Sequence, residues 1–333
     1  MSWKSKLRDD PIPWLLEPEN APVRFFTLRD LLDRPADDPE MSEARAAIMS
    51  YRPIEASLEA QYPEGYWVKP GAGYSPKYRA TVWQVIFLEQ MGADGTDSRV
   101  RRACEYVIQH SQATSGGFAV GHSSKSPPPS LVIHCLNGNL IRALLGLGWQ
   151  DDERLMQAVE WQARAITGKG ELRYYKSGTT APGFACAANG GEPCAWGAIK
   201  ALRGLARVLK DRRSPLVTES IREGAEFLLS RDPAVADYPA YEGRVSSSWF
   251  RLGFPSGYVA DVLQNLEVLV ELGYGNDPRL QNALDWLLPK QNAQGRWKNE
   301  YAYNSKVWAD IESQGEISKW VTLRALRVLK AAG

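Results

Sequence analysis

Apolar residues recur along this chain in two alternating styles. One is nearly continuous: TVWQVIFLEQMG (81–92), LVIHCLNGNLIRALLGLG (131–148), CAWGAIKALRGLARVL (194–209) and YVADVLQNLEVLVELG (258–273) are apolar almost all round. The other is a single stripe. Val100, Ala103, Cys104, Val107 and Ile108 fall at i, i+3, i+4, i+7 and i+8, and Leu280, Ala283, Leu284, Leu287 and Leu288 repeat the spacing. A stripe of this period predicts a half-exposed helix, and an all-round apolar run predicts a buried one. Each apolar run is followed by a helix-start signal, at Asp97, Asp151, Ser214 and Asp277, with Pro215 and Pro278 next where a helix tolerates proline. The pattern therefore predicts repeated hairpins, each with an inner and an outer helix.

The hairpins are punctuated by turns that carry glycine and an aromatic: QYPEGYW ending at Trp67, SQATSGGF at Phe118, GKGELRYY, and QNAQGRW at Trp297. The stretch Asp232–Tyr241 lacks this pattern and reads as a degraded fourth copy. A pair at VRFFTLRDLLDR and SEARAAIMSYRPIEASLEAQ opens the series, and SKWVTLRALRVLKAA closes it without a partner. The expected architecture is all-α: one α/α toroid over residues 1–333, with a lone closing helix at about 316–331.

Gln61 with Gly65 and Trp67, and Gln291 with Gly295 and Trp297, resemble the Gln-Trp motifs of squalene-type cyclases. Across nearly the whole chain the pattern is similar to the terpenoid cyclase and protein prenyltransferase superfamily of α/α toroids. That resemblance implies a central cavity for an isoprenoid. The Asp-x-Asp-Asp acid of class II cyclases is missing, and Asp151-Asp152-Glu153 reads as a solvated helix start. No DDxxD, Gly-x-Ser-x-Gly, phosphate loop, dinucleotide fingerprint or His-Glu-x-x-His is present.

Cysteine is the remaining chemical signal. Cys135 and Cys194 each stand three residues before a glycine near the start of an apolar run, and Cys186 lies in the loop just before Cys194. Neighbouring helix axes lie about 8–10 Å apart, so three sulfurs can converge at one mouth of the ring. Zn²⁺ takes thiolates and imidazole in a tetrahedron, which makes Cys135, Cys186, Cys194 and His134 the expected metal set. His134 and Cys135 are sequence neighbours, about 100° apart on a helix, so Glu192 and Asp261 are the substitutes. Glu192-Pro193-Cys194 also resembles the zinc-binding Asp-x-Cys pair of prenyltransferases, though no later His follows. Cys104, on an outer stripe, is a core residue.

Inner-helix N-termini at one mouth favour an anion, and Tyr78, Arg79, Trp83, Tyr258, Lys319 and Trp320 are the expected ligand-binding residues there. An apolar tail among aromatics, with a diphosphate at the mouth, is the leading expectation. A non-catalytic, zinc-stabilised toroid serving as an interaction or scaffold module is the alternative. A carbohydrate-active α/α barrel is the third reading, with Glu192 and Asp261 as its weak catalytic pair. The tract Ser123–Val132 is expected to be a loop over the mouth.

Composition changes little. There are 40 Lys and Arg against 39 Asp and Glu, a net charge of +1, which gives no reason to expect nucleic acid as a partner. The 12 Trp, 14 Tyr and 8 Phe are enough to line a cavity as well as fill a core. MSWKSKLRDDPIPW has no apolar signal region, and no apolar run approaches membrane-spanning length, so the expected compartment is the cytoplasm.

Overall fold

A computed structural model describes residues 3–121, 126–169 and 182–333. The described chain is helical, apart from isolated β-bridges such as Ala185 to Pro193. In chain order, after a single helical turn at Ile12–Leu15, the helices are α1 (Ala21–Asp30), α2 (Pro39–Ala47), α3 (Arg52–Glu59), α4 (Thr81–Gln90), α5 (Ser98–Ser111) and α6 (His134–Gly146). There follow α7 (Glu153–Thr167), α8 (Ala195–Ala206), α9 (Pro215–Leu229), α10 (Val262–Glu271), α11 (Gln281–Leu287) and α12 (Lys319–Ala331).

The nearly all-apolar helices form the inner ring. Packing runs α4 to α6, α6 to α8, α8 to α10, α10 to α12 and α12 back to α1, so the two ends of the chain meet. The striped helices α5, α7, α9 and α11 lie outside, with α2 beside α1. This is the α/α toroid. Helices α6 and α8 approach most closely because glycine lets them: a Cβ on Gly138 would lie 2.3 Å from the Lys200 carbonyl oxygen. Among the described residues, no helix is long and apolar enough to cross a membrane.

The turns explain why the repeat keeps its residues. Gln61 donates from Nε2 to the Gly65 carbonyl at 3.3 Å and to the Arg99 carbonyl at the start of α5 at 3.0 Å. Gln112 repeats this to Gly116 at 2.7 Å and to Arg154 of α7 at 2.6 Å. Each glutamine thus ties its own turn to the next outer helix. The indole N–H of Trp67 donates to the Ser57 carbonyl at 2.6 Å, ten residues back, and Trp297 does the same to Leu287 at 3.0 Å. The turn at Asp232–Tyr241 is not degraded. Its Tyr238 hydroxyl donates to Leu228, again ten residues back, at 2.7 Å, so a phenol stands in for the indole.

The helix starts differ from expectation in one place. Asp152, not Asp151, caps α7, accepting from the backbone N–H of Arg154 and Leu155; Asp151 pairs instead with Arg212 at 2.6 Å. Of the tract Ser123–Val132, positions 123–125 lie outside the described residues; the rest makes one 3₁₀ turn at Pro129–Leu131. The GKGELRYY turn beyond Lys169 likewise lies outside them.

Candidate functional site

Inner helices begin on one mouth of the ring, and three of them begin alike. Ser318 Oγ accepts from the Val321 N–H at 2.8 Å, Asp261 Oδ1 from Gln264 at 2.7 Å, and Cys194 Sγ from Gly197 at 3.4 Å. Asp261 and Cys194 are therefore N-caps at equivalent positions of the repeat. Burial pushes the Asp261 carboxyl up in pKa, against the pull of Arg324 and of its Gln264 hydrogen bonds.

Above these caps lies a cup of rings. Trp83 sits 5.2 Å from both Tyr74 and Tyr78 and 6.3 Å from Tyr258 (ring centroids), and Trp196 lies 6.4 Å from Tyr258. Tyr303 stacks on Tyr78 at 3.9 Å and packs edge-on against Tyr301 at 5.5 Å. The Lys77 ammonium stands over Tyr258 at 4.2 Å. The expected set Tyr78, Trp83 and Tyr258 is thus brought together. Arg79 reaches the rim, donating to the Ser305 carbonyl at 3.2 Å and lying 5.6 Å over Trp308. Lys319 and Trp320 are elsewhere. Lys319 pairs with Glu17 at 2.7 Å on the outer side, and Trp320 is buried against Phe254 at 4.2 Å.

The floor of the cup is a strap. Gly253–Tyr258 crosses the lumen and is hydrogen-bonded to three inner helices. Gln90 holds Ser256 through two bonds of 2.8 and 2.9 Å, Asn139 donates to Gly257 at 3.1 Å, and Arg324 donates to Gly253 at 2.5 Å. Beneath it the lumen is charged. Lys200, fully buried, donates to Gln264 Oε1, and Gln264 Nε2 donates to Asp261 at 3.0 Å. Arg324 makes a forked bridge to Glu267 at 2.8 and 2.7 Å, with Arg203 at 3.5 Å. Burial, with Arg203 nearby, holds the Lys200 ammonium well below its ordinary pKa. Burial opposes ionisation of Glu267 too, but Arg324 and Arg203 prevail and hold its carboxyl low.

Where the inner helices end, the opposite mouth opens into a cavity of about 880 Å³. Arg142, Arg207, Glu89, Glu271, Arg29 and Asp30 line it. Here cationic side chains face helix C-termini, where the macrodipole favours them.

The thiols do converge at the first mouth. The Cys186 and Cys194 thiols act on each other, which lowers Cys186 to a pKa of about 6 and raises Cys194. Burial raises Cys135 to about 12, with the nearby Cys186 adding to it. His134 is not with them. Its Nδ1 is bonded to Gln162 at 2.7 Å, and its ring faces Phe184 and Trp161 at centroid distances of 5.3 and 6.1 Å. The 100° between adjacent helical positions sends it toward α7. Among the described residues no group of three or more His, Cys, Asp or Glu is arranged to hold a metal ion. Glu192 is exposed and lines a surface recess with Tyr241, whereas Asp261 is 3% exposed inside the ring.

Tyr74, Trp196, Tyr301 and Glu312 were not singled out in the sequence. Glu312 accepts from the Lys319 N–H at 2.8 Å, the Trp320 N–H at 3.4 Å and the Ser318 hydroxyl, at the start of α12. Burial raises its carboxyl to a pKa of about 7 in spite of those bonds. The aromatic run at Tyr301, Tyr303 and Trp308 is the signal that could have found this loop.

No family model and no curated protein matches the sequence. Solved structures do resemble it. An unsaturated glucuronyl hydrolase specific for heparin is 13% identical, with 94% of this chain and 85% of that chain covered at a TM-score of 0.52. A family 88 glycosyl hydrolase from Bacteroides vulgatus is 11% identical, with 94% and 90% covered at 0.51. A type II terpene cyclase from Scytonema, 14% identical with 87% and 96% covered, overlaps at only 0.33. At such identities the likeness is one of fold, and the shared fold is the α/α toroid.

Proposed function

We propose that the aromatic cup binds a saccharide bearing acidic groups, and that the chain acts at the mouth of its ring rather than through the lumen. The observation that carries this reading is the strap over a charged column. A long apolar chain entering the ring would have to displace Ser256 and Gly257 and then lie against Lys200, Asp261, Arg203 and Glu267. Burying such groups without their partners costs several kcal/mol or more. A sugar ring needs only an aromatic face and hydrogen-bonding groups; Tyr258 and Tyr74 are half-buried at the mouth with both, and half-buried Trp196 adds a further ring. Exposed Lys77, Arg79 and Arg251 supply positive charge around it. The fold shared with the glucuronyl hydrolase and the family 88 enzyme supports this substrate class by analogy alone. Asp261 is held as a helix cap and Glu192 is exposed, so the proposal is one of binding and assigns them no hydrolytic pair.

The isoprenoid reading keeps one observation in its favour: Trp83, Phe87 and Trp196 give the cup apolar ring faces. Titration calorimetry with neutral oligosaccharides, uronate-containing oligosaccharides and farnesyl diphosphate separates the two. Saturable binding of the uronate series is expected, weakened about tenfold or more by Tyr258→Ala through loss of a stacking face. Farnesyl diphosphate binding without saccharide binding would overturn the proposal.

A further inference from the structure

Cys186 and Cys194 close a tight hairpin at the mouth. Ala185 bridges Pro193, the Cys186 N–H donates to the Glu192 carbonyl at 3.1 Å, and the Cys194 N–H donates to Phe184 at 2.8 Å. Side chains alternate along such a pair, so Phe184, Cys186, Glu192 and Cys194 share one face and the two cysteines are diagonal neighbours on it. Diagonal neighbours lie about 7–8 Å apart in a flat ladder, just beyond the span a disulfide bridges. Here the two thiols are near enough to perturb each other, and both residues are half-buried rather than sealed. Cys194 Sγ also accepts the Gly197 N–H at the start of α8, which fixes the direction of its side chain. Cys104 is the contrast: fully buried on the inner stripe of α5, with no second thiol beside it among the described residues.

We propose that Cys186 and Cys194 form a dithiol–disulfide couple that exchanges with small-molecule disulfides. The step balances without any group the protein lacks. The Cys186 thiolate attacks one sulfur of the small disulfide; that S–S bond breaks and one small thiolate leaves. The Cys194 thiolate then attacks Cys186 sulfur in the mixed disulfide, forming the protein disulfide and expelling the second small thiolate. Two electrons pass from the protein pair to the small disulfide, and the two thiol protons end on the two released small thiols. Cys135, half-buried like them and near both, is the competing third thiol.

The test uses the unmodified full chain. It is incubated with glutathione disulfide, unfolded in iodoacetamide, digested and mapped by mass spectrometry. The expected result is a peptide pair joined through Cys186 and Cys194, lighter by two hydrogens, with Cys104 and Cys135 alkylated and the bridge undone by dithiothreitol. In Cys135→Ser the same bridge is expected at an unchanged rate. Alkylation of all four cysteines after oxidation would overturn the proposal, as would bridges through Cys135. A tightly bound zinc that must be chelated before Cys186 and Cys194 alkylate would overturn it in favour of a metal role.

Discussion

The two mouths of this ring are built from opposite materials. Where inner helices begin, the walls are Trp83, Tyr74, Tyr78, Tyr258 and Trp196, with thiols among them. Where inner helices end, the walls are Arg142, Arg207, Glu89 and Glu271 around a cavity of about 880 Å³. The strap Gly253–Tyr258 divides them. The difference follows from backbone polarity. Converging C-termini carry partial negative charge that arginines complement, and their carboxylate partners then keep those arginines balanced. Three of the converging N-termini are satisfied by the caps Ser318, Asp261 and Cys194, which leaves the mouth above them free to carry rings.

If the charged half is a paired network, its most buried link should be the costliest to cut. Arg324→Ala leaves Glu267 with only the 3.5 Å contact to Arg203 and frees the Gly253 carbonyl. Loss of about 3–5 kcal/mol is expected in denaturant unfolding. A loss near zero would mean that water enters the column and that the two halves are not separated as described.

The aromatic half should instead be sensitive to pH through Glu312. Its folded pKa of about 7 lies above the ordinary 4.5, so the folded protein holds an extra proton between those values. Stability therefore falls as pH rises from about 4.5 to about 7 and is level above, by roughly 3 kcal/mol in total. In Glu312→Gln that slope should be absent. Melting curves at pH 5 and pH 8 for both proteins decide it; parallel shifts in the two would remove Glu312 as the cause.

The smallest effect concerns the scaffold under the cup. Tyr238→Phe removes a hydroxyl that donates to Leu228 and accepts from Asn265 Nδ2 at 2.8 Å. A loss of about 1–3 kcal/mol is expected from the two stranded groups, with the far cavity unaffected. No change in the denaturation midpoint would show that the fourth turn does not need its phenol.

Local features were legible in the sequence. Gly-aromatic turns, capped outer helices and apolar inner runs are short-range patterns, and they gave the ring. Tyr238 was not legible, because its equivalence to Trp67 and Trp297 lies in a bond ten residues back rather than in a motif. The charged lumen was also missed. Lys200, Arg203, Glu267 and Arg324 stand on helices that look apolar all round, and periodicity cannot tell a polar residue facing a lumen from one facing solvent. The three expected thiols lie near one another without being arranged around a metal ion, and one helical step turns His134 toward Gln162. The Asp-x-Arg pairs at Asp97 and Arg99, Asp152 and Arg154, and Asp277 and Arg279 were in plain view. The last two also reach back to Glu105 and Glu226 on the preceding outer helix.

The turn at Gln291 differs from its siblings in one respect. Gln61 and Gln112 reach forward to the next outer helix, but after α11 there is none, and Gln291 instead accepts from the Arg8 N–H at 2.8 Å and donates to Lys6 at 3.2 Å. The Arg8 guanidinium returns to the Gln291 carbonyl at 2.8 Å. Gly295, at φ +68°, would place a Cβ 2.3 Å from the Asp9 carbonyl oxygen, so the join admits no other residue. The opening segment is thus a clasp, fastened across nearly the whole chain. An open stack of helical hairpins must shield each exposed end with a polar cap; a ring that latches onto its own beginning has no ends to shield. Such a body should come apart at the latch first, so proteolysis near Lys6 and Arg8 would report ring opening before any inner helix unfolds.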